Sequence, residues 1–189
     1  MDHAVSTVGT ARRLNHVEFV HCPGERNLVF ALFDLLGLQT LEVMDGEVLI
    51  GVVDPPSFEL MDNDNYLAGR EVRPEQWAFD QALAAALRTQ PLAAPFARFQ
   101  DFLGQKPHWG MHFGFHLSSP EKWEASVARL EDVEESAPML SGRVRLLKVF
   151  RRGDPGAPSV AHQAFLWTDV IASGSLALGQ RIELATLVP

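Results

Sequence analysis

Two kinds of hydrophobic pattern follow one another along the chain, and their order recurs. Residues 14–21 (LNHVEFVH) place Val17 and Phe19 on one face and His16 and Glu18 on the other, the period-two pattern of a half-buried strand. The apolar face needs a helix to cover it. Residues 26–36 supply one, with Leu28, Leu32, Leu35 and Leu36 at helical spacing and Gly37 as a C-terminal stop. Two short β-like runs come next, 38–44 and 48–53, joined by a hairpin turn at Asp45-Gly46. A third strand is expected in 58–61 or in 66–72, and the Asp-Asn-Asp-Asn stretch 62–65 reads as a turn either way.

From 74 to 106 helix formers dominate, interrupted by Pro91 and Pro95, and two short helices are expected there around 81–88 and 96–103. Then the first pattern returns. In 111–117 (MHFGFHL), Met111, Phe113, Phe115 and Leu117 share one face, and His112, Gly114 and His116 the other. Ser118-Ser119-Pro120-Glu121 opens a helix whose apolar stripe is Trp123, Val127 and Leu130. Strands are expected at 143–151, 160–171 and 180–188.

The spacing from His16 to Glu25 equals that from His112 to Glu121, nine residues each, and an amphipathic helix follows both. A repeat of this kind fixes architecture better than local propensity does. Two copies of strand–helix–strand–strand–strand account for the chain: a loose tail at 1–13, a first module at 14–73, a helical connector at 74–107 and a second module at 108–189. The fold class is α+β.

Composition narrows the function. At 189 residues, 47% hydrophobic and 21% charged, the chain can bury one substantial core. Its net charge of −8, with no basic cluster longer than a pair, argues against nucleic acid and anionic membranes and leaves a small molecule as the expected partner. One cysteine, Cys22, cannot form an intrachain disulfide, and no run approaches the length of a membrane span, so the expected location is cytoplasmic.

With two such sheets facing each other, the polar faces enclose a cavity into which His16 and His112 both look. Glu183, in QRIEL, joins them, because Ile182 and Leu184 take the packing face of its strand. Two imidazoles and a carboxylate on strands suit one divalent transition metal (Fe, Mn, Zn, Ni or Co) and leave coordination positions open. His116 and Glu18 share the ligands' faces, and Trp109 and Trp167 flank the site strands as pocket walls.

The segments LNHVEFVHCPGERNLVFALFDLLGL, MHFGFHLSSPEKWEASVARL and AFLWTDV with GQRIEL resemble the vicinal oxygen chelate superfamily, which includes glyoxalase I, extradiol dioxygenases and bleomycin-resistance proteins. The resemblance implies paired βαβββ modules forming a curled mixed sheet around a metal cavity, and a homodimer. It places His16, His112 and Glu183 on the metal-ligand positions, and Glu59 or Glu71 where glyoxalase-type members carry a fourth ligand. It implies a dioxygenase, lyase or isomerase acting on a molecule chelated through adjacent oxygens. His162, because histidine titrates near neutrality, and Glu18, on the ligands' face, are the candidate catalytic groups. The alternative is a non-catalytic binder of small molecules. One departure is plain: extradiol enzymes carry a tyrosine shortly before the final glutamate, and the sole tyrosine here is Tyr66.

Overall fold

The computed structural model describes residues 15–53 and 65–188. The tail at 1–13, the alternative strand at 58–61 and Glu59 lie outside the described residues.

The first half runs β1 (His16–His21), α1 (Arg26–Leu36), β2 (Gln39–Val43), β3 (Val48–Val52) and β4 (Tyr66–Glu71). The helix forms where the leucine spacing predicts it, burying Val29, Leu32, Phe33, Leu35 and Leu36. It stops at Gly37, whose φ of 74° lies in the left-handed region that glycine adopts without strain. Of the two alternatives for the third strand, 66–71 forms. The connector holds α2 (Pro74–Leu87), α3 (Ala93–Gln105) and a 3₁₀ turn, Pro107–Trp109. Both helices begin earlier than expected, because Pro74 and Pro95 sit in first turns, where a missing N–H costs nothing.

The second half runs β5 (His112–His116), α4 (Pro120–Glu131), α5 (Val133–Ser136), β6 (Val144–Phe150), β7 (Ala161–Thr168), β8 (Ile171–Ala172) and β9 (Gln180–Leu187). Ser119 caps α4 by accepting from the Lys122 N–H at 3.3 Å. The single strand expected over 160–171 is broken into β7 and β8. The Thr168 hydroxyl accepts from the Val170 N–H at 3.1 Å, a local turn that diverts the chain. The displaced residues then pair antiparallel with β1 of the first half.

The chain is α+β with two mixed sheets, ordered β2-β3-β4-β1-β8 and β5-β9-β7-β6. In each, the histidine-bearing strand lies parallel to the last long strand of its half, β1 to β4 and β5 to β9, and all other pairs are antiparallel. One glycine matters to the packing: Gly69 is the cross-strand partner of Phe19, and a Cβ there would stand 1.9 Å from the Phe19 ring. Among the described residues, no helix is long and apolar enough to cross a membrane.

The main apolar core joins the halves, with Phe19, Leu32 and Phe33 from the first and Trp123, Leu166, Ile182 and Leu184 from the second. Trp123 is fully buried and donates its indole N–H to the Leu184 carbonyl at 2.8 Å. Truncating such a residue to alanine costs about 3–5 kcal/mol. A charged bridge adds direction to this contact. Arg143 donates through both terminal nitrogens to the Glu25 carboxylate, at 3.1 and 2.8 Å, and through Nε to Asp169 at 2.6 Å. The Arg143 hydrogen bonds hold the Glu25 carboxyl below the usual carboxylate range, against an opposing effect of burial.

Arg143→Met should therefore destabilise the protein by about 1–2 kcal/mol at neutral pH, the value being modest because the pair is partly solvated. A depressed carboxyl pKa means stability present above the unfolded-state value and lost as pH falls through the folded one. The gap between wild type and variant in urea midpoint should thus shrink below about pH 4. A gap that is constant or grows on acidification would count against the bridge.

Candidate functional site

The register of the second sheet decides which side chains share its polar face. His112 lies opposite Arg181, and Gly114 opposite Glu183, on the parallel β5–β9 ladder. On the antiparallel side, Trp167 lies opposite Arg181 and Phe165 opposite Glu183. Opposed residues project to the same face, so His112, Arg181, Glu183, Gln163, Phe165 and Trp167 occupy one surface, while Ile182, Leu184, Ala164 and Leu166 enter the core.

On that surface His112 and Glu183 meet as the alternation predicts, with Nε2 of His112 3.2 Å from Oε2 of Glu183. Both are half-buried, the side chains 23% and 15% exposed. Nδ1 of His112 lies 2.8 Å from the Gly110 carbonyl oxygen. Carbonyl and carboxylate oxygens both only accept, so a neutral ring donates to one of them: with the proton on Nδ1, toward the shorter contact, Nε2 turns its lone pair to the carboxylate, and a doubly protonated ring donates to both. Two lone pairs at this separation repel, and a cation between them, a proton or a metal ion, makes the contact favourable. The other carboxylate oxygen, Oε1, accepts from the Gln163 side-chain amide at 2.6 Å. A ring nitrogen held by a backbone carbonyl and a carboxylate held by an amide are the supports that fix metal ligands in orientation.

His16 stands at the matching place in the first sheet, opposite Tyr66, and stacks on its ring at 5.1 Å between centroids. Its Nδ1 lies 2.6 Å from Oδ1 of Asn15, and its Nε2 lies 3.6 Å from Oε1 of Glu18. Each half thus carries a histidine whose Nε2 faces a carboxylate one step along the same ladder. In the second half that carboxylate is on the last strand, Glu183. In the first half it is on the first strand, Glu18, and the position opposite is Ala68. The structure does not bring His16 to the His112–Glu183 pair: among the described residues, no three His, Cys, Asp or Glu side chains gather as a metal-holding group.

The remaining sequence candidates separate. His162 projects to the helix side of β7, its ring 5.1 Å from that of Trp123, and its Nδ1 accepts from the Arg152 N–H at 2.9 Å. It therefore lies on the opposite face of the sheet from Glu183. His116 is exposed at the far end of β5. Trp167 lines the polar face, while Trp109 is 70% exposed and packs edge-on against Phe102. Glu71 is on the helix side of β4, where it accepts from the Gly24 N–H at 2.8 Å, and Glu59 lies outside the described residues. Burial, with Glu25 second, pushes the Cys22 thiol up to about 11, so it stays protonated at neutral pH.

Three further residues stand on this face that the sequence candidates do not include: Gln163, Arg181 and His108. The first two had a signal in the sequence, since the alternation that places Trp167 on the polar face places Gln163 there as well, and Arg181 is two residues from Glu183. His108 had none. It reaches the face through the 3₁₀ turn, its ring 6.2 Å from Phe150 and 6.5 Å from Phe165. A larger hollow of about 530 Å³ lies elsewhere, between the end of α4 and β6, and none of the predicted site residues lines it.

The tautomer can be read directly. Long-range proton–nitrogen correlation spectra of the metal-free protein should show His112 protonated at Nδ1. A ring protonated at Nε2 alone would mean that Glu183, rather than the Gly110 carbonyl, sets its orientation.

No protein-family model matches the chain, and a search of curated proteins finds no match.

Proposed function

We propose that the protein is a divalent-metal-dependent enzyme of the vicinal oxygen chelate type, acting on a small molecule bound through adjacent oxygens. His112 and Glu183 are the ligands on the second sheet, and His16, which stands apart from them in the first sheet, leaves the remaining coordination positions to water and substrate. The observation that carries the reading is the Nδ1 contact to Gly110, which leaves Nε2 of His112 and Oε2 of Glu183 as two donors converging on one point. A metal ion held there would act as a Lewis acid, polarising the substrate oxygens it binds. Gly110 and Gln163 orient the ligands.

The equivalence of β1 and β5 in the two sheets supports the paired-module, glyoxalase-like reading of the fold. A homodimer fits the exposed aromatic side of the connector, Phe99, Phe102 and Trp109, and a reducing cytoplasm fits the lone cysteine. The second reading, a non-catalytic binder of the same fold, is favoured by one feature. The α3 helix and the turn after it lie over the polar face of the second sheet, where Leu103 and Phe165 are almost fully buried.

Metal content of protein purified without a metal-binding tag, then equilibrated with divalent ions and desalted, separates the two. Wild type should retain about one equivalent per chain, and His112→Ala and Glu183→Ala almost none. Gln163→Ala should weaken retention about 10–100-fold through loss of orientation. His16→Ala should retain metal as wild type does, because His16 stands apart from the pair. Wild type without metal would leave the binder reading.

A further inference from the structure

One row of cross-strand partners spans the whole second sheet: Arg145 on β6, Trp167 on β7, Arg181 on β9 and His112 on β5. Neighbouring strands lie about 4.8 Å apart, so the two arginines are two strands, about 10 Å, from each other across the tryptophan. The Arg145 guanidinium stacks on the Trp167 ring at 4.6 Å. Above the row, between the sheet and α3, is a cleft of about 390 Å³, lined by these three side chains together with Gln100, Gln105 and Asp101.

Arg181 is the unusual member. It is only 7% exposed, and the one hydrogen bond it makes through a terminal nitrogen is to the neutral Gln100 side chain, at 2.9 Å. Its Nε is buried and has no partner among the described residues. No carboxylate pairs with either Arg145 or Arg181 among the described residues, although Asp101 stands at the rim of the cleft. Burial, and then the like charge of Arg145, work against the Arg181 cation. Yet a guanidinium does not give up its proton in a protein, so the charge stays and calls for an anion.

The cleft is also built to hold its shape. Gly110 packs on the Arg181 stem, where an added Cβ would come within 3.1 Å of Cδ. Gly179, at φ +67°, packs on the Trp167 indole, where a Cβ would stand 2.5 Å from Nε1. The indole N–H donates to the Leu178 carbonyl at 3.3 Å.

We propose that this cleft is an anion site, in which Arg181 and Arg145 together bind the oxyanion of a small molecule, a carboxylate or a phosphate, with the Trp167 ring holding the Arg145 guanidinium in place. Guanidinium groups match both oxyanions through paired N–H donors, and burial strengthens the contact. The site is a second one, separate from the His112–Glu183 pair, although Arg181 and His112 are neighbours on one ladder. An anionic molecule held here would extend toward that pair, making the enzyme's substrate an acid or a phosphate ester. That extension rests on the metal reading above, whereas anion binding does not.

The test uses metal-free protein, with inorganic phosphate and benzoate as probes and sodium chloride at equal ionic strength as control. Thermal unfolding and tryptophan fluorescence are followed for wild type, Arg181→Met and Arg145→Gln. Phosphate, benzoate or both should raise the melting temperature of wild type beyond chloride, and the tighter probe identifies the anion. Arg145→Gln, at an exposed position that leaves folding intact, should bind about tenfold or more weakly, and Arg181→Met should not bind. The proposal is overturned if neither probe exceeds chloride, or if Arg145→Gln binds as wild type does. Because no metal is present, failure here leaves the metal reading standing, and loss of metal binding leaves this site standing.

Discussion

The parallel pairing of β5 with β9 is the constraint on which the candidate site depends. It sets His112 beside Arg181 and one step from Glu183, and the antiparallel pairing of β9 with β7 brings Gln163 and Trp167 to the same surface. Side chains alternate with period two, so a slip of one residue on β9 would send Ile182 and Leu184 to the polar face and Glu183 into the core. That slip is prevented from the other side of the sheet. Ile182 and Leu184 are buried against α4, and Trp123 holds the Leu184 carbonyl. Core packing thereby fixes the geometry of groups that never enter the core.

The same alternation explains what could be read from the sequence. The LNHVEFVH and MHFGFHL segments, each followed by an amphipathic helix, announce β1, α1, β5 and α4, and QRIEL places Glu183 on the polar side. His112 and Glu183 meet because alternation puts both on the polar face of paired strands. The chemistry of His162 says nothing about its face, and the alternation of its own strand puts it behind the sheet, with Gln163 in front. The division of 160–171 into two strands comes with a hydrogen bond that the Thr168 hydroxyl accepts from the Val170 N–H, which hydrophobic pattern does not encode. The contacts of α3 with the second sheet are tertiary and leave no periodic trace, so the covered face and the buried Arg181 were not foreseen.

The two halves repeat one architecture but divide its chemistry unequally. The first keeps its carboxylate on the histidine strand, exposed and shared with Arg70, and has alanine where the second has Glu183. The second keeps histidine and carboxylate on neighbouring strands, half-buried and supported by a carbonyl and an amide. Burial raises the value of each electrostatic contact, so the His112–Glu183 contact is the stronger of the two.

The central claim is that His112 and Glu183 together hold a divalent ion. X-ray absorption at the metal edge of zinc- or cobalt-loaded protein tests it most directly, because the fine structure separates imidazole nitrogen from carboxylate and water oxygen. The account predicts imidazole scattering in the wild type, reduced in His112→Ala while the light-atom shell persists. An all-oxygen shell in the wild type, or imidazole scattering unchanged in His112→Ala, would contradict it.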